Sequence, residues 1–441
     1  MIAAKLPPGP RAPSAVQTLG WWSRPHAYME RLRESYGKRF TLRLLATPPF
    51  VMHSEPEHVK EIFTAPPEVL HPGEGAGILE PIVGKNSVIL LDESAHLEQR
   101  KLMLPAFHGE RMERLSALVD EVTEREVASW PRGEPFELHP RLQELTMEVI
   151  LRAVFGLDPG PRLDGLRDRL TGMMQFSSNP ISMLPPLQRL LGERGPYGGF
   201  FALRDEADAL LFELIEERRA EDGERDDVLS MLLEARHDDD GSPMSAQELR
   251  DELMTLLVAG HETTASELAW AFVRLTREPE VRGRLAEDVD GGDGSYLAAT
   301  INETLRRRPV LPNAAPRLVN QPIEVGGWAY EPGVCLVANS YLLHHDPEIY
   351  PDPYAFKPER FLESEPGTYT LIPFGGGRRR CLGASFAILE MKAVLRAVFS
   401  TLELSPAGEG LELTRRRAIT VSPRVGARAV LRDREPVPAA A

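Results

Sequence analysis

Ten residues, Phe374-Gly-Gly-Gly-Arg-Arg-Arg-Cys-Leu-Gly383, constrain the fold of this 441-residue chain more than any other stretch. They set one of its only two cysteines, Cys381, between a loop of glycines and arginines and a helical run over residues 384–399. The amino end of a helix and a field of guanidinium groups both favour thiolate over thiol, which predicts a lowered thiol pKa. Glycines also let backbone N–H groups turn toward the sulfur, where hydrogen bonds tune a metal–thiolate bond. The setting suits a lone anionic metal ligand. The plainer alternative is a buried structural cysteine in a basic turn. Cys335, inside the apolar run 334–338, reads instead as an inert strand cysteine.

Composition narrows the class further. With 42% hydrophobic content the chain can bury a large core, as one big domain or two ordinary ones. Two cysteines exclude a disulfide framework and fit a reducing compartment, so a soluble cytoplasmic protein is expected. A formal charge of −15 argues against nucleic acid as a partner, since that binding needs basic surface to neutralise phosphates. No run approaches the ~20 apolar residues of a spanning helix, so no membrane anchor is expected. Residues 1–5 are too short for a signal peptide before Pro7, Pro8 and Pro10.

The patterning predicts a mainly α protein with a small β-rich part. Phe40, Leu42 and Leu44 alternate with polar neighbours, Pro48-Pro49 breaks the run, and Phe50-Val-Met52 follows, as in a short hairpin. A second hairpin joins residues 323–325 and 328–330 through Gly326-Gly327, which supply the positive φ of a tight turn. Long helical patterns cover residues 111–130, 142–155 and 203–220, and polar loops fall at 236–243 and 290–294. Helices resume on both sides of each loop, so neither reads as a domain linker. One domain over 1–441 is expected, with a proline-rich start at 1–12 and a disordered tail at 435–441.

Ser245-Ala-Gln-Glu248 spells a capping box, and a long helix is predicted to follow until Pro279. One face carries Leu249, Leu253, Leu256, Gly260 and Thr263, turning from aliphatic to small and hydroxylated at Ala259-Gly260-His261-Glu262-Thr263-Thr264. Glycine inside a helix costs about 1 kcal/mol relative to alanine, so Gly260 wants a reason. Close approach of something flat, room for a small ligand, and plain helix packing are the options. A threonine hydroxyl can bond back to a carbonyl one turn earlier, and an acid beside an alcohol is minimal equipment for moving protons into a buried site. His261-Glu262 does not begin a zinc-hydrolase HExxH motif, because position 265 is alanine.

The spacing Phe374-x-x-Gly377-x-Arg379-x-Cys381-x-Gly383 resembles the haem-binding loop of the cytochrome P-450 family. Ala259-Gly260-x-Glu262-Thr263-Thr264 resembles that family's oxygen-activation segment. The order of motifs matches along nearly the whole chain, from Leu6-Pro-Pro onward. In microsomal members a proline hinge of that kind follows a membrane anchor, and a chain without an anchor is the simpler reading here.

The resemblance implies haem b held between the long distal helix and the cysteine loop with its proximal helix. Cys381 would be the axial ligand, and Glu262 and Thr263 would deliver protons. It implies propionate contacts from Arg379, Arg317, His96 and Arg100, the last two sharing a helix face at i and i+4. Glu303 and Arg306, three apart on a helix, would join Arg360 of Pro358-Glu-Arg-Phe361 in a buried network behind the loop; without the resemblance they read as an exposed ion pair. Met173, Met174 and Phe176 fall in a methionine-rich, proline-broken stretch at 173–187 that corresponds to a mobile lid. Val310 and Leu311 would point at the haem, and the glycine-rich residues 71–86 would line the entrance.

The function implied is a bacterial haem-thiolate monooxygenase inserting one oxygen atom of O2 into a C–H bond of a lipophilic molecule such as a fatty acid or terpenoid. Electrons would come from a separate ferredoxin- or flavodoxin-type protein with its NAD(P)H reductase. Arg378, Arg380 and Lys101 would be free to form the dock. The rival readings are a non-catalytic haem sensor or carrier, which has no need of the acid–alcohol pair, and a peroxygenase or isomerase of the same fold.

Overall fold

A 30-residue helix, Ala246–Leu275, runs through the middle of the molecule and organises the rest. Ser245 caps it: the Ser245 hydroxyl accepts from the Glu248 N–H, and the Glu248 carboxylate accepts from the Ser245 N–H at 2.8 Å. Such a box satisfies two of the donors every helix start leaves open. The helix stops before Pro279, which opens the next helix, Pro279–Gly291. Both boundaries follow the sequence. Beyond its first turn most residues of the central helix are buried, so its packing extends round more than one face. Helices Leu138–Ala153, Gly198–Ala220, Ser295–Arg307 and Ala384–Thr401, together with the strand Thr420–Pro423, lie against it.

The computed structural model describes residues 6–107, 110–177, 198–221, 225–410, 412–417 and 419–434. Within them the chain is mainly helical with small sheets, as the patterning predicts. The largest sheet has five strands in the order Arg39–Leu42, Phe50–His53, Cys335–Ala338, Arg317–Val319, Leu70–His71. Its first pair is the expected hairpin, with Phe40 opposite Met52. Phe50–His53 then runs parallel to Cys335–Ala338, whose four residues are all buried. Burial alone pushes the Cys335 thiol up to about 12, which suits an inert role. The second hairpin, Ile323–Val325 with Trp328–Tyr330, turns at Gly326 (φ 57°) and Gly327 (φ 71°). A further hairpin, Thr414–Arg417 with Thr420–Pro423, docks on the central helix, where the Trp270 indole donates to the Val421 carbonyl at 3.0 Å.

Two helix starts were placed short by the sequence. The 142–155 pattern extends back to Leu138, and 203–220 back to Gly198. The 236–243 loop is closed by one bridge between Arg236 and Pro243. Residues 178–197, most of the expected lid, and the tail 435–441 lie outside the described residues.

Candidate functional site

The cysteine loop takes its shape from glycines. Gly375 and Gly377 have φ of 66° and 64°, a region that favours glycine. A Cβ on Gly376 would lie 2.3 Å from the Phe63 ring, and one on Gly377 2.1 Å from the Phe63 carbonyl. The loop therefore rests directly on the helix Pro56–Thr64. The Cys381 N–H donates to the Phe374 carbonyl at 2.9 Å, closing the turn. The sulfur accepts from the Gly383 N–H at the start of Ala384–Thr401 and has Arg100 and Arg380 within electrostatic reach. Burial outweighs these groups and raises the thiol pKa, the opposite of the lowering expected from the arginines and helix end. The loss of water around the sulfur is not visible in a string of residues. Although it sits in the protein interior, the Cys381 side chain is open to a water-sized sphere, unlike Cys335.

Four cationic or basic side chains converge beside the loop. His96 feels Arg379, Arg100 and Arg317, and burial with their charge pushes it down to about 3, so it is neutral. Arg379 donates to the Val88 carbonyl at 3.1 Å, to the Leu91 carbonyl, and to Asp92 at 2.6 Å. Arg317 is buried over the Phe63 ring, 4.8 Å away, and donates to the Ile62 carbonyl at 3.0 Å. The side chains of Arg100 and His96 have no hydrogen-bond partner among the described residues. Arg317 and Arg379 share one carboxylate, Asp92, while Arg100 faces the Cys381 sulfur, so positive charge is in excess in this region. A haem carries two propionates, and arginine forks suit carboxylates. The residues fit the group.

On the central helix a stripe stays open while its neighbours are sealed. Leu256 and Gly260 are half-buried, Ala259 is exposed and Thr263 is half-buried, whereas Leu253, Leu257 and Ala265 are fully buried. Open side chains at three- and four-residue spacing, in a helix covered by its neighbours, mark an internal space along one face. The Thr263 hydroxyl donates back to the Ala259 carbonyl, as expected of a helical threonine. One residue on, Thr264 faces the Glu390 carboxyl of the cysteine helix without closing a well-formed hydrogen bond. The central helix thus packs against the helix that follows the cysteine loop. Gly260 has a concrete reason: a Cβ there would meet Ile150 Cδ1 at 2.8 Å, so close packing on Leu138–Ala153 requires the glycine. Of the options open in the sequence, the helix-packing one is observed.

Glu262 points off the stripe. Its carboxylate accepts from Gln143 at 2.7 Å and Ser266 at 3.0 Å, with Arg417 at 3.4 Å as an oblique ion pair and His139 at 3.7 Å. Burial raises its pKa, and Arg417 pulls it back down. A solvent-open cleft of about 100 Å³, lined by His139, Gln143 and Arg417, reaches this cluster from the surface. None of these three partners was found in the sequence. They come from other elements, and no local spacing announces them.

Behind the loop, the Glu303–Arg306 pair is fully buried and not an exposed ion pair. Arg306 makes two bonds to Glu303, 2.7 and 2.9 Å, and donates to the carbonyls of His344, Pro353 and Ala355. Arg360 reaches Glu303 at 3.2 Å, and the Lys357 N–H donates to it at 2.8 Å. His344, also missed in the sequence, completes the link. Its ring accepts from the Ile372 N–H at 2.9 Å, tying the network to the chain entering the cysteine loop.

Other expected residues are placed more plainly. Val310 and Leu311 are half-open between buried Pro309 and Pro312, and Val310 N–H donates to Glu267 at 3.0 Å. Met173 is sealed in the main core, so it presents no surface to a substrate, and Met174 is nearly so. The helix Pro161–Ser177 turns them onto Gly198–Ala220, which the sequence pattern did not reveal. The Phe176 side chain lies outside the described residues. Lys101 is not free as expected: it pairs with Asp238 at 2.8 Å. Arg378 and Arg380 are exposed.

The family model for cytochrome P450 matches residues 7–425. A Mycobacterium tuberculosis protein provisionally named cytochrome P450 138 is 38% identical over 433 residues, covering 98% of this chain and 97% of its own. A second, provisionally named cytochrome P450 135B1, is 36% identical over 431 residues, covering 96% and 90%. Among solved structures, retinoic acid-bound cyanobacterial CYP120A1 superposes with a TM-score of 0.83 at 23% identity, covering 98% of this chain and all of that one. The haem domain of cytochrome P450DA follows at 0.82 and 22%, covering 99% of each. Since that model spans nearly all of the chain and the relatives are more than 30% identical over almost their whole length, the chain belongs to the cytochrome P450 family, haem-dependent monooxygenases whose iron is bound by a cysteine thiolate.

Proposed function

We propose that this protein inserts one oxygen atom of O2 into a C–H bond of a lipophilic small molecule, with Cys381 as axial ligand and electrons from a separate ferredoxin- or flavodoxin-type protein. The observation that carries the reading is the Cys381 sulfur: accessible, receiving the Gly383 N–H, and beside a cluster of arginines in excess of the one carboxylate there. When bound, the haem supplies oxygen activation, which thiolate donation favours. The chain's own residues do the rest. Arg100, Arg317 and Arg379, with neutral His96, anchor the propionates. Leu256, Ala259, Val310 and Leu311 offer an apolar wall to a fatty acid or terpenoid. Gln143, Ser266 and Arg417 hold Glu262 at the inner end of the open cleft, where it takes up a proton from solvent. Thr263, one residue on, keeps its oxygen available as an acceptor while its own hydrogen is held by the Ala259 carbonyl. Arg378 and Arg380 give the electron donor a basic landing point, and a rim charge there acts on association more than on affinity.

The test begins with the ligand. The reduced carbon monoxide complex should show the red-shifted Soret band of a thiolate haem. Cys381→His should abolish it and Cys335→Ser should leave it intact. A thiolate spectrum surviving in Cys381→His sinks the assignment. Titrating a lipophile library while following the haem spin state then identifies the substrate class, and no shift with any lipophile would refute that part of the reading.

A further inference from the structure

At the ends of the central helix and of Ser295–Arg307, the structure gathers arginines that form no ion pair with a carboxylate among the described residues; Glu278 reaches Arg274, and only through its charge. Arg274 ends the central helix, Arg307 ends Ser295–Arg307, Arg308 caps that same helix, and Arg416 comes from the Thr414–Arg417 strand. They surround a stack in which His26 of the helix Pro25–Tyr36 lies on Tyr341, ring centres 4.0 Å apart. His26 feels Arg308, Arg416 and Arg307, while Arg274 feels Arg308. Arg307 is occupied, donating to His345 at 2.8 Å and to the Tyr354 carbonyl at 3.0 Å. The side chains of Arg274, Arg308 and Arg416 have no hydrogen-bond acceptor among the described residues.

Three features separate this from a set of helix-end cations. First, the last carbonyls of the central helix are already taken, because Arg282 donates to Leu275 and Thr276 at 3.0 and 2.8 Å. Second, neither nearby acid bonds these arginines: Glu278 acts on Arg274 only through its charge, and Glu30 accepts from Tyr341 at 2.5 Å and Tyr354 at 3.0 Å. Third, the buried orphans are all on donor-bearing groups. Arg416, 8% exposed, has Nε and Nη2 unpartnered; Arg308 has Nε unpartnered; His26, also 8% exposed, has Nε2 unpartnered. His26 Nδ1 lies 3.3 Å from the Thr414 hydroxyl. If Nδ1 accepts that hydrogen, the tautomer puts the ring hydrogen on Nε2. Trp21 lies 4.8 Å from Arg416 and Trp270 5.5 Å from Arg308, covering guanidinium faces but leaving the in-plane N–H groups. Buried donors without acceptors forfeit the hydrogen bonds that water gave them. An acceptor that is small, oxygen-rich and anionic removes the deficit.

We propose that this cluster binds a small oxyanion of the phosphate class, held by Arg416, Arg308 and His26 where the N-terminal helices meet the ends of the central helix and of Ser295–Arg307. Guanidinium forks match a tetrahedral oxyanion, and the site concentrates positive charge in a chain of net charge −15. The bound ion ties the N-terminal helices to the helix that carries Glu303 and Arg306.

The experiment is calorimetric titration of the haem-loaded, full-length protein with inorganic phosphate at fixed ionic strength set by sodium chloride. One saturable site is expected, with sulfate competing. Arg308→Met and Arg416→Met should each weaken phosphate at least tenfold, Arg416→Lys should recover most of the loss, and Arg39→Met, whose arginine lies over Trp328 elsewhere, should change nothing. Phosphate near 100 times its Kd should raise the melting temperature of the wild type by about 2–4 °C and that of Arg308→Met by less. Methyl phosphate competing on equal terms marks an ester terminus as the occupant, and failure to compete marks the free ion. Arg308 is partly exposed, so its variant carries the test even if Arg416→Met does not fold. Absence of saturable binding, displacement by chloride as effective as by sulfate, or wild-type affinity in both methionine variants overturns the proposal.

Discussion

Glu303 and Glu262 are both enclosed glutamates, yet they are held in opposite ways. Glu303 is sealed, carries two bonds from one arginine, an ion pair from a second and a backbone N–H. Glu262 retains partial exposure, leans on two neutral donors, and has its arginine at an oblique 3.4 Å next to a solvent cleft. A carboxylate pinned by cations has one arrangement and can position a loop. One shared among an amide, a hydroxyl and a loose cation can change proton and partner at little cost. The difference separates a group that sets geometry from a group equipped to exchange protons.

The comparison breaks first at Glu303. Glu303→Gln leaves Arg306 buried without its charge partner, a loss of about 3–5 kcal/mol. Haem content after purification and the denaturation midpoint should both collapse; a variant that keeps wild-type haem content would make the network dispensable. Next comes the hydroxyl beside the exchanging acid. Thr263→Val keeps shape but should cut product formation about 10²–10⁴-fold while oxygen consumption persists and peroxide rises. Unchanged coupling would reduce Thr263 to packing.

A smaller effect sharpens the role of the loose cation. Arg417→Met should lower coupling about tenfold, near 1.4 kcal/mol, and leave haem content intact. Because Arg417 pulls the Glu262 pKa down, its loss should also move the pH profile of product formation to higher pH. An unshifted profile would detach Arg417 from Glu262. The smallest effect involves a third kind of carboxyl. Glu267 is buried without a cation and pushed up to about 8. The unfolded chain ionises this group near 4.5 and the folded one only near 8, so its stability contribution is complete at low pH and declines as pH rises through that window. Glu267→Gln should flatten the decline between pH 5 and 8 in denaturant midpoints, and an identical slope would assign it to other groups.

The same contrast explains what could be read from the residues. Ser245, Glu248 and Pro279 announce the central helix, and Gly326-Gly327 a hairpin, because caps and turns are written in neighbouring positions. The Phe374–Gly383 spacing is equally local. The partners of Glu262 arrive from Gln143, His139 and Arg417, on elements joined only in the folded chain, and no period along the sequence brings them together. The thiol of Cys381 was misjudged in direction for a related reason: charges can be counted in a sequence, but the water removed around a sulfur cannot. Met173, expected in a lid over the substrate, is core, since helical spacing alone does not say which neighbour a face meets.

The contact of Gly376 and Gly377 with Phe63 governs the order of assembly. The metal-binding turn has no shape of its own until a helix made early in the chain is in place beneath it, and Arg379 reaches back 291 residues to the Val88 carbonyl. Contacts so distant in sequence close late and slowly. The shape of the loop around Cys381 therefore depends on both ends of the chain at once, and a change in the helix Pro56–Thr64 reaches the sulfur through Phe63 without touching a residue of the loop.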